Sequence, residues 1–332
     1  MLYKKIIELI NSKHLKIFLF ILILINIPLF YVLSNYCISC IQNKKNMCHL
    51  CPREIIFNGL DIASREETLD EIIYNHKSLT RLGDGEFSLI FGGKIGFQKY
   101  SGALKKQLIK VLKSNIKNLL IGINVPYHES ELNSRTDFAS KYWKKWFVKN
   151  KFKLAKILNK DKKYYSSLIS RYYSIYKNKK KYDTSNYIKK LKKIWDKRDV
   201  LIIEGFYSRN GVGNDLFNNT KSIRRIICPA KNAFFVYNKI IKETKKFKKY
   251  KNILILISLG PTAVPLSYEL TKFGFQVVDI GHADIEYELY LKKYDIPTRI
   301  EYKYVNEAKD GNKNISNVTD QNYFKQIFCQ IK

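Results

Sequence analysis

Acidic residues are scarce in this 332-residue sequence. It contains 29 Asp and Glu against 60 Lys and Arg, a formal net charge of +31. The imbalance is greatest over residues 141–200, which hold 21 Lys and Arg, four Asp and no Glu. Such a charge favours anionic partners such as nucleic acid, anionic lipid or phosphorylated substrates. Compositional drift explains it equally well, because Lys, Asn, Ile and Tyr are abundant throughout. The absence of a known aromatic–basic recognition motif disfavours a nucleic-acid binder.

Charged residues are absent altogether from residues 17–43. Ile17 to Leu33 reads IFLFILILINIPLFYVL, and about 20 apolar residues are enough to span a bilayer as a helix. No small-x-small cleavage site follows, so an uncleaved anchor is favoured over a signal peptide. Four lysines precede the run and three basic residues follow it, which leans towards an inside N-terminus, a type II orientation. The sequence therefore predicts a single-pass membrane protein, and the side of its main domain stays open.

Cysteines are few, but four of the six are close together. The stretch CISCIQNKKNMCHLC places two C-x-x-C pairs seven residues apart, formed by Cys37, Cys40, Cys48 and Cys51. Four thiolates are a tetrahedral zinc set, although the spacing is shorter than usual. Two disulfides on an oxidising side of the membrane fit equally well. A third alternative is neither, with the cysteines open to acylation beside the membrane.

After this linker, apolar runs of strand length alternate with stretches of helical periodicity. Strand-like runs are at 119–125, 199–205, 222–228, 252–258 and 275–281, and helix-like stretches are at 103–117, 186–196, 232–245 and 262–273. This alternation predicts an α/β fold, a Rossmann-like, mostly parallel sheet with helices on both faces. In such sheets ligands bind beyond the carboxyl ends of the strands, so the residues at those ends are the candidates for function.

The first strand end carries Asp84-Gly85-Glu86. If the segment is extended, residues i and i+2 point the same way, so Asp84 and Glu86 can reach one cation. Two carboxylates with water and phosphate oxygens suit Mg²⁺ or Mn²⁺, and Gly85 lets a ligand approach the backbone. Arg81, just upstream, could bind a phosphate in bidentate fashion. The alternative is a turn with two solvated acids.

Two glycine-bearing segments follow other strand ends. After VLIIEG, a helix start is expected at Gly211, Gly213 and Asn214, where backbone N–H groups favour a phosphate and Arg209 could add charge. After ILILIS, Gly260 and Thr262 stand at a second helix start. Plain connections between strands and helices are the alternative for both.

The last strand end carries His282, Asp284 and Glu286 at alternating positions. They could supply a metal ligand, a general base or a contact to a sugar or ribose hydroxyl. A lone histidine is more often structural, but three titratable residues at one strand end indicate function. Together, the four strand ends predict a pocket for a diphosphate ligand and a divalent cation.

Three long blocks of the sequence resemble the GT-D glycosyltransferase family, formerly a domain of unknown function (DUF1792). They are RLGDGEFSLIFGGKIGFQKY, IIEGFYSRNGVGNDLFNNTKSIRRIICPAKNAF and LISLGPTAVPLSYELTKFGFQVVDIGHADIEYELYL. The resemblance covers roughly residues 60–295 and implies a Rossmann-like fold of the GT-D type. It implies that Asp84 and Glu86 form a D-x-E motif that holds a divalent cation and a nucleotide-sugar diphosphate. It also implies transfer from a nucleoside diphosphate sugar, commonly a UDP-sugar, to a glycan acceptor.

On this interpretation Asp284 and Glu286 are candidates for the base that deprotonates the acceptor, and His282 could complete the metal shell. The expected organisation is a basic tail (1–16), an anchor (17–36), a Cys-rich linker (37–58), a glycosyltransferase domain (59–300) with a basic helical insertion (about 141–190) and a polar tail (301–332). Two alternatives remain, a metal-dependent phosphohydrolase and a non-catalytic, membrane-anchored module that binds anionic polymer.

Overall fold

The computed structural model describes residues 53–126 and 128–332. They fall into two compact units, a large one of residues 60–149 and 158–332 and a small one whose described part is 53–59 and 150–157. The small unit contains the short helix α1 (Arg53–Ile56). The predicted basic tail, the anchor at 17–36 and the four clustered cysteines lie outside the described residues. Within the described ranges, no helix is both long and apolar enough to cross a membrane.

The large unit is built on an eight-stranded sheet in which every neighbouring pair is parallel. The strand order is β3-β2-β1-β7-β6-β4-β5-β8. The strands are β1 (Ser78–Leu82), β2 (Leu119–Ile123), β3 (Tyr165–Ser166), β4 (Asp199–Gly205), β5 (Ser222–Cys228), β6 (Leu254–Ser258), β7 (Gln276–Asp279) and β8 (Ile327–Gln330). The predicted α/β class with a parallel sheet is confirmed.

Helices connect the strands. They are α2 (Arg65–Ile73), α3 (Asp84–Ile90), α4 (Gly102–Leu112), α5 (Glu129–Asn133), α6 (Asp137–Ile157), α7 (Thr184–Lys192), α8 (Tyr237–Lys245), α9 (Ala263–Lys272), α10 (Ala283–Leu291) and α11 (Gln321–Gln326). Short 3₁₀ turns occur at Ser167–Ser170, Lys179–Lys181, Ala233–Val236, Lys246–Lys249 and Gly260–Thr262.

The continuous apolar runs of the central strands supply both faces of the sheet. In β4, Val200 and Ile202 pack into one buried cluster together with Leu69 of α2 and Leu191 of α7. Leu201 and Ile203 pack into a second cluster with residues of α8 and α9. Because successive strand residues point to opposite faces, a strand that is apolar at every position must be covered on both sides.

Two regions differ from the sequence-based expectations. Residues 141–190, expected as an inserted helical lobe, contain most of α6 and most of α7, but between these helices the chain enters the sheet as β3. The C-terminal segment, expected as a polar tail, supplies α11 and β8, and β8 pairs with β5. The physical reason is that Ile331 and Cys329 pack against the core under β5. This packing cannot be predicted from a short apolar stretch in a polar sequence.

Candidate active site

A cavity of about 520 Å³ lies along the carboxyl edge of the sheet. Residues at or just beyond the ends of seven strands line it, among them Gly83, Asn124, Ser167, Gly205, Pro229, Ser258 and Asp279. This volume is in the usual range of ligand pockets. The cavity lies where a parallel α/β sheet binds its ligands.

Asp84 and Glu86 both line this cavity. They belong to the first turn of α3, so the expectation of an extended segment was wrong. On a helix, residues two apart project in different directions, and each carboxylate has its own protein contact. Glu86 Oε2 accepts a hydrogen bond from the Gly83 N–H at 2.8 Å, and Asp84 Oδ2 accepts one from the Tyr142 hydroxyl at 2.5 Å.

The two carboxylates form no ion pair with the described residues. Among the described residues, no Lys, Arg or His nitrogen lies within 4 Å of Asp84 or Glu86, although the chain carries a charge of +31. Burial raises the pKa of Glu86 to about 7, opposed by the Gly83 hydrogen bond and reinforced by the Asp84 carboxylate. Two adjacent carboxylates with this electrostatic strain fit a divalent cation, which would relieve their repulsion.

A third protein ligand is not in place. The described ranges contain no group of three or more His, Cys, Asp and Glu side chains arranged to hold a metal. The expected set of Asp84, Glu86 and His282 is therefore not assembled among the described residues. His282 Nε2 lies 3.3 Å from Glu307 Oε1 instead.

His282, Glu307 and Arg171 form a separate cluster on the cavity wall. Burial and then the Arg171 charge lower the pKa of His282 to about 4, so its imidazole is neutral at neutral pH. Glu307 forms an ion pair with Arg171. Burial acts in the opposite direction, but Arg171 lowers the pKa of Glu307 to about 2. Sequence reasoning missed both partners. Glu307 lies in the segment expected to be a polar tail, and Arg171 lies in the segment expected to be a basic helical insertion.

Arg81 lines the cavity, but protein atoms already occupy most of its donors. Its guanidinium contacts the Asp279 carbonyl and carboxylate at 2.8 and 2.9 Å. It also donates to the Ser167 carbonyl and the Ser170 hydroxyl. The expected bidentate contact with a phosphate is therefore not supported. Arg81 ties β7 to the turn that follows β3.

Asp284 and Glu286 are corrected as candidate bases, because both are buried and bonded away from the cavity. Asp284 accepts hydrogen bonds from the Gly211 N–H and the Lys303 ammonium, at 2.8 and 2.6 Å. Glu286 accepts from the backbone N–H groups and the hydroxyl of the Tyr173–Ser174 segment. Neither carboxylate lines the cavity, so neither can take a proton from an acceptor there.

The glycine segment 209–214 is corrected as well. No helix begins there in the structure. The Gly211 N–H and the Asn214 amide bind Asp284, and the buried Arg209 guanidinium donates to the carbonyls of Tyr302 and Ser316. These groups serve internal packing and do not line the cavity, whereas Tyr207, Ser208 and Asn210 do.

Gly213 has a structural requirement that can be measured. It has φ +77° and a Cβ there would overlap the Tyr302 hydroxyl, whereas Gly92 has φ +86° and open space around it. Gly92→Ala is expected to cost about 1–2 kcal/mol through backbone strain alone. Gly213→Ala adds an overpacking cost of about 1–3 kcal/mol. Denaturant unfolding of both variants checks this, and equal losses would contradict the role of Tyr302.

Only one of the residues predicted at the second helix start reaches the cavity. Gly260 lines it, at φ +53° and packed against the Phe97 ring, in the 3₁₀ turn that leads into α9. Thr262 is fully buried, does not line the cavity, and its hydroxyl has no hydrogen-bond partner. Gly260 therefore remains a candidate for ligand binding and Thr262 does not.

Tyr142 and Arg135 are cavity residues that sequence reasoning did not find. Both lie in or next to α6, where the Lys-rich pattern indicates a solvated face. Tyr142 is nearly half exposed and its contact with Asp84 joins residues 58 positions apart. A contact between residues so far apart cannot be predicted from the local periodicity of the sequence.

Fold and site together define a class, a Rossmann-like α/β protein with a carboxylate-bearing ligand cavity at the carboxyl edge of its sheet. The sequence matches the family model described as "Glycosyltransferase GT-D fold" over residues 79–308. The chain therefore belongs to the GT-D glycosyltransferase family, and the resemblance stated from the sequence is confirmed.

Two curated proteins are similar to this chain. It is 34% identical over 286 residues to "Glycosyltransferase GlyD" of Streptococcus pneumoniae serotype 4 (strain ATCC BAA-334 / TIGR4), a match covering 85% of this chain and 34% of that protein. It is 34% identical over 274 residues to "Probable glycosyl transferase Gly" of Streptococcus gordonii, covering 82% and 39%. The chain thus spans little more than a third of the length of these relatives.

Solved structures share the fold. One, described as the highly conserved domain of unknown function 1792 with a distinct glycosyltransferase fold, has a TM-score of 0.79 at 33% identity and covers 86% of this chain and 100% of its own. Another, described as a new glycosyltransferase (DUF1792) from Streptococcus sanguinis, has a TM-score of 0.77 at 31% identity and covers 82% and 100%.

Proposed function

We propose that this protein is a metal-dependent glycosyltransferase. It transfers a sugar from a nucleoside diphosphate sugar, with a UDP-sugar as the donor class, to a glycan acceptor. Membership of the GT-D family supports sugar transfer. The names of the streptococcal relatives support the same chemistry.

The observation that carries the proposal is a pair of carboxylates in the cavity that form no ion pair with the described residues. Asp84 and Glu86 both line the cavity at the carboxyl edge, and the pKa of Glu86 is raised to about 7 mainly by burial. This pair would gain from a bound cation, because no Lys, Arg or His nitrogen of the described residues lies within 4 Å of either carboxylate. Lys and Arg bind phosphate directly, whereas one or two carboxylates usually hold the Mg²⁺ that contacts it.

Cleavage of a sugar–diphosphate bond leaves negative charge on the diphosphate. A divalent cation held by Asp84 and Glu86 would stabilise that leaving group as a Lewis acid. The Tyr142 hydroxyl donates a hydrogen bond to Asp84 Oδ2. The other carboxylate oxygen, Oδ1, does not take part in this hydrogen bond. The Leu259–Pro261 segment, which lines the cavity and leads into α9, adds the partial positive charge of a helix start.

A donor screen tests the proposal. The full chain in detergent is incubated with Mn²⁺ and single nucleotide sugars, and nucleoside diphosphate and inorganic phosphate are measured separately. One donor should be consumed slowly and release the nucleoside diphosphate. Release of inorganic phosphate without an acceptor would instead support a phosphohydrolase. Consumption of no donor would support a non-catalytic module that binds anionic polymer.

Membrane attachment through residues 17–36 is part of the proposal and rests on the sequence alone. The uncharged apolar run supports it. The preparation of the full chain is itself the test, because a spanning helix should require detergent for extraction. Release by salt or carbonate without detergent would contradict the anchor.

A further inference from the structure

Arginine is the basic residue of the cavity wall. Of the described residues that line it, three are arginines, namely Arg81, Arg135 and Arg171, and none is a lysine. Arg81 lies 2.9 Å from the Asp279 carboxylate. Arg171 forms ion pairs with Glu307 and Glu286. Arg135 has no carboxylate oxygen within 4 Å in the described ranges, so it is the arginine of the cavity wall that forms no contact ion pair there.

The Arg135 side chain is held in place but only partly satisfied. The residue is 3% exposed, and its guanidinium makes one hydrogen bond, from Nη2 to Asn124 Oδ1 at 3.1 Å. Its guanidinium carbon lies 5.3 Å from the centre of the Trp143 ring, a cation–π contact. Arg135 lines the cavity, and its other guanidinium N–H groups have no acceptor among the described residues.

A buried guanidinium without a contact ion pair is costly to the folded protein. Burial lowers the pKa of Arg135, and the charge of Glu131 opposes this effect. The cation–π contact and the Asn124 hydrogen bond offset part of this cost and fix the direction in which the planar guanidinium group points. Neither contact is an ion pair, so the guanidinium can still form one with an anion in the cavity.

The location of Arg135 indicates which anion. It comes two residues before α6, and Tyr142 of the same helix donates a hydrogen bond to Asp84. Arg135 and the carboxylate pair therefore face one cavity that a single helix helps to order. A diphosphate offers oxygens to a cation at one end and to a guanidinium fork at the other. Arg is suited to this role because its planar donors match phosphate oxygens in pairs.

We propose that Arg135 is the protein's anchor for the diphosphate of the sugar-nucleotide donor, with Asn124 and Trp143 as the residues that position it. The inference rests on the proposed function, because it takes a nucleoside diphosphate as the ligand. It replaces Arg81 and Arg209, whose donors are engaged within the protein.

Calorimetry on the full chain in detergent with Mn²⁺ tests this, with UDP and uridine as the two probes. Arg135→Gln should weaken UDP binding about 10- to 100-fold, the value of a charge-assisted contact. Uridine binding should be unchanged, because uridine has no phosphate. Arg135→Lys keeps the charge without the fork and should recover only part of the loss, and it serves as the second variant if Arg135→Gln does not fold.

Arg198→Gln is the matched control. Arg198 is a partly buried arginine that precedes β4, at the opposite edge of the sheet, and donates to Gln276. It should leave UDP affinity unchanged. UDP affinity equal to the parent's in folded Arg135 variants would overturn the inference alone, as would equal losses for UDP and uridine. A parent that binds neither probe would refute the proposed nucleotide donor, and the inference with it.

Discussion

Sugar transfer by Asp84→Asn and by Glu86→Gln is expected to fall by about 10²-fold or more, the scale of losing one strong electrostatic stabiliser. Each variant keeps the shape of the side chain and removes one carboxylate of the Asp84 and Glu86 pair, which lines the cavity. Binding of Mn²⁺ should weaken in parallel. Initial rates of nucleoside diphosphate release at saturating Mn²⁺, together with metal titration by calorimetry, measure both effects.

Loss of folding should not explain this result. In Glu86→Gln, the new amide oxygen can still accept the hydrogen bond that the Gly83 N–H donates to Glu86 in the parent. The pKa of Glu86 is raised to about 7, above its unfolded value, so ionisation of this group disfavours the folded state as pH rises from about 4.5 through 7. Without metal at pH 8, Glu86→Gln should melt no lower than the parent.

The control for these variants is Glu66→Gln, an exposed carboxylate in the first turn of α2 and away from the cavity. It should transfer sugar at the parent rate. If Asp84→Asn and Glu86→Gln also fold and keep the parent rate with Mn²⁺ present, the metal site is wrong and so is the function that depends on it.

Lys303→Met is expected to destabilise the protein by about 3–5 kcal/mol, the cost of leaving buried charges without their partner. Lys303 is fully buried, and its ammonium lies 2.6 Å from Asp284 and 3.0 Å from Glu288. Both carboxylates are themselves buried. Met has a similar volume, so the loss reports the charge. Urea unfolding followed by circular dichroism gives the change in free energy of unfolding.

Lys313→Met is the matched control, because Lys313 is exposed and pairs with Asp310 on the surface. A change below about 1 kcal/mol is expected there. In the double variant Lys303→Met with Asp284→Asn, part of the lost stability should return, since one of the stranded negative charges is gone. A free energy of unfolding for Lys303→Met within about 1 kcal/mol of the parent would show that the buried ion group does not stabilise the fold.

This ion group explains why the residues around it look like a catalytic cluster in the sequence. Asp284 joins α10 to the glycine segment through Gly211 and Asn214, and to the C-terminal segment through Lys303. Titratable residues at the end of a strand can therefore either line the ligand cavity or form buried ion pairs beneath it. Only the three-dimensional position separates these uses.

Much of the fold follows from the sequence alone. Apolar runs such as ILILI bury both faces of a strand, and their alternation with amphipathic helices is enough to predict a parallel sheet and the edge where ligands bind. The bounds of β4 and β5 agree with the predicted runs at 199–205 and 222–228. The family, and the position of Asp84 and Glu86 at that edge, could also be read from the sequence, because they depend on local pattern.

Tertiary structure alone decided which polar groups face the cavity. Asp284, Glu286 and Arg209 bind partners far along the chain and do not line the cavity. Arg135 and Tyr142 do line it, although their segment looks like a solvated face in the sequence. The physical reason is the range of the forces involved. Burial periodicity is a property of neighbouring residues, but whether a charge is satisfied depends on atoms that only the folded chain brings within about 3 Å.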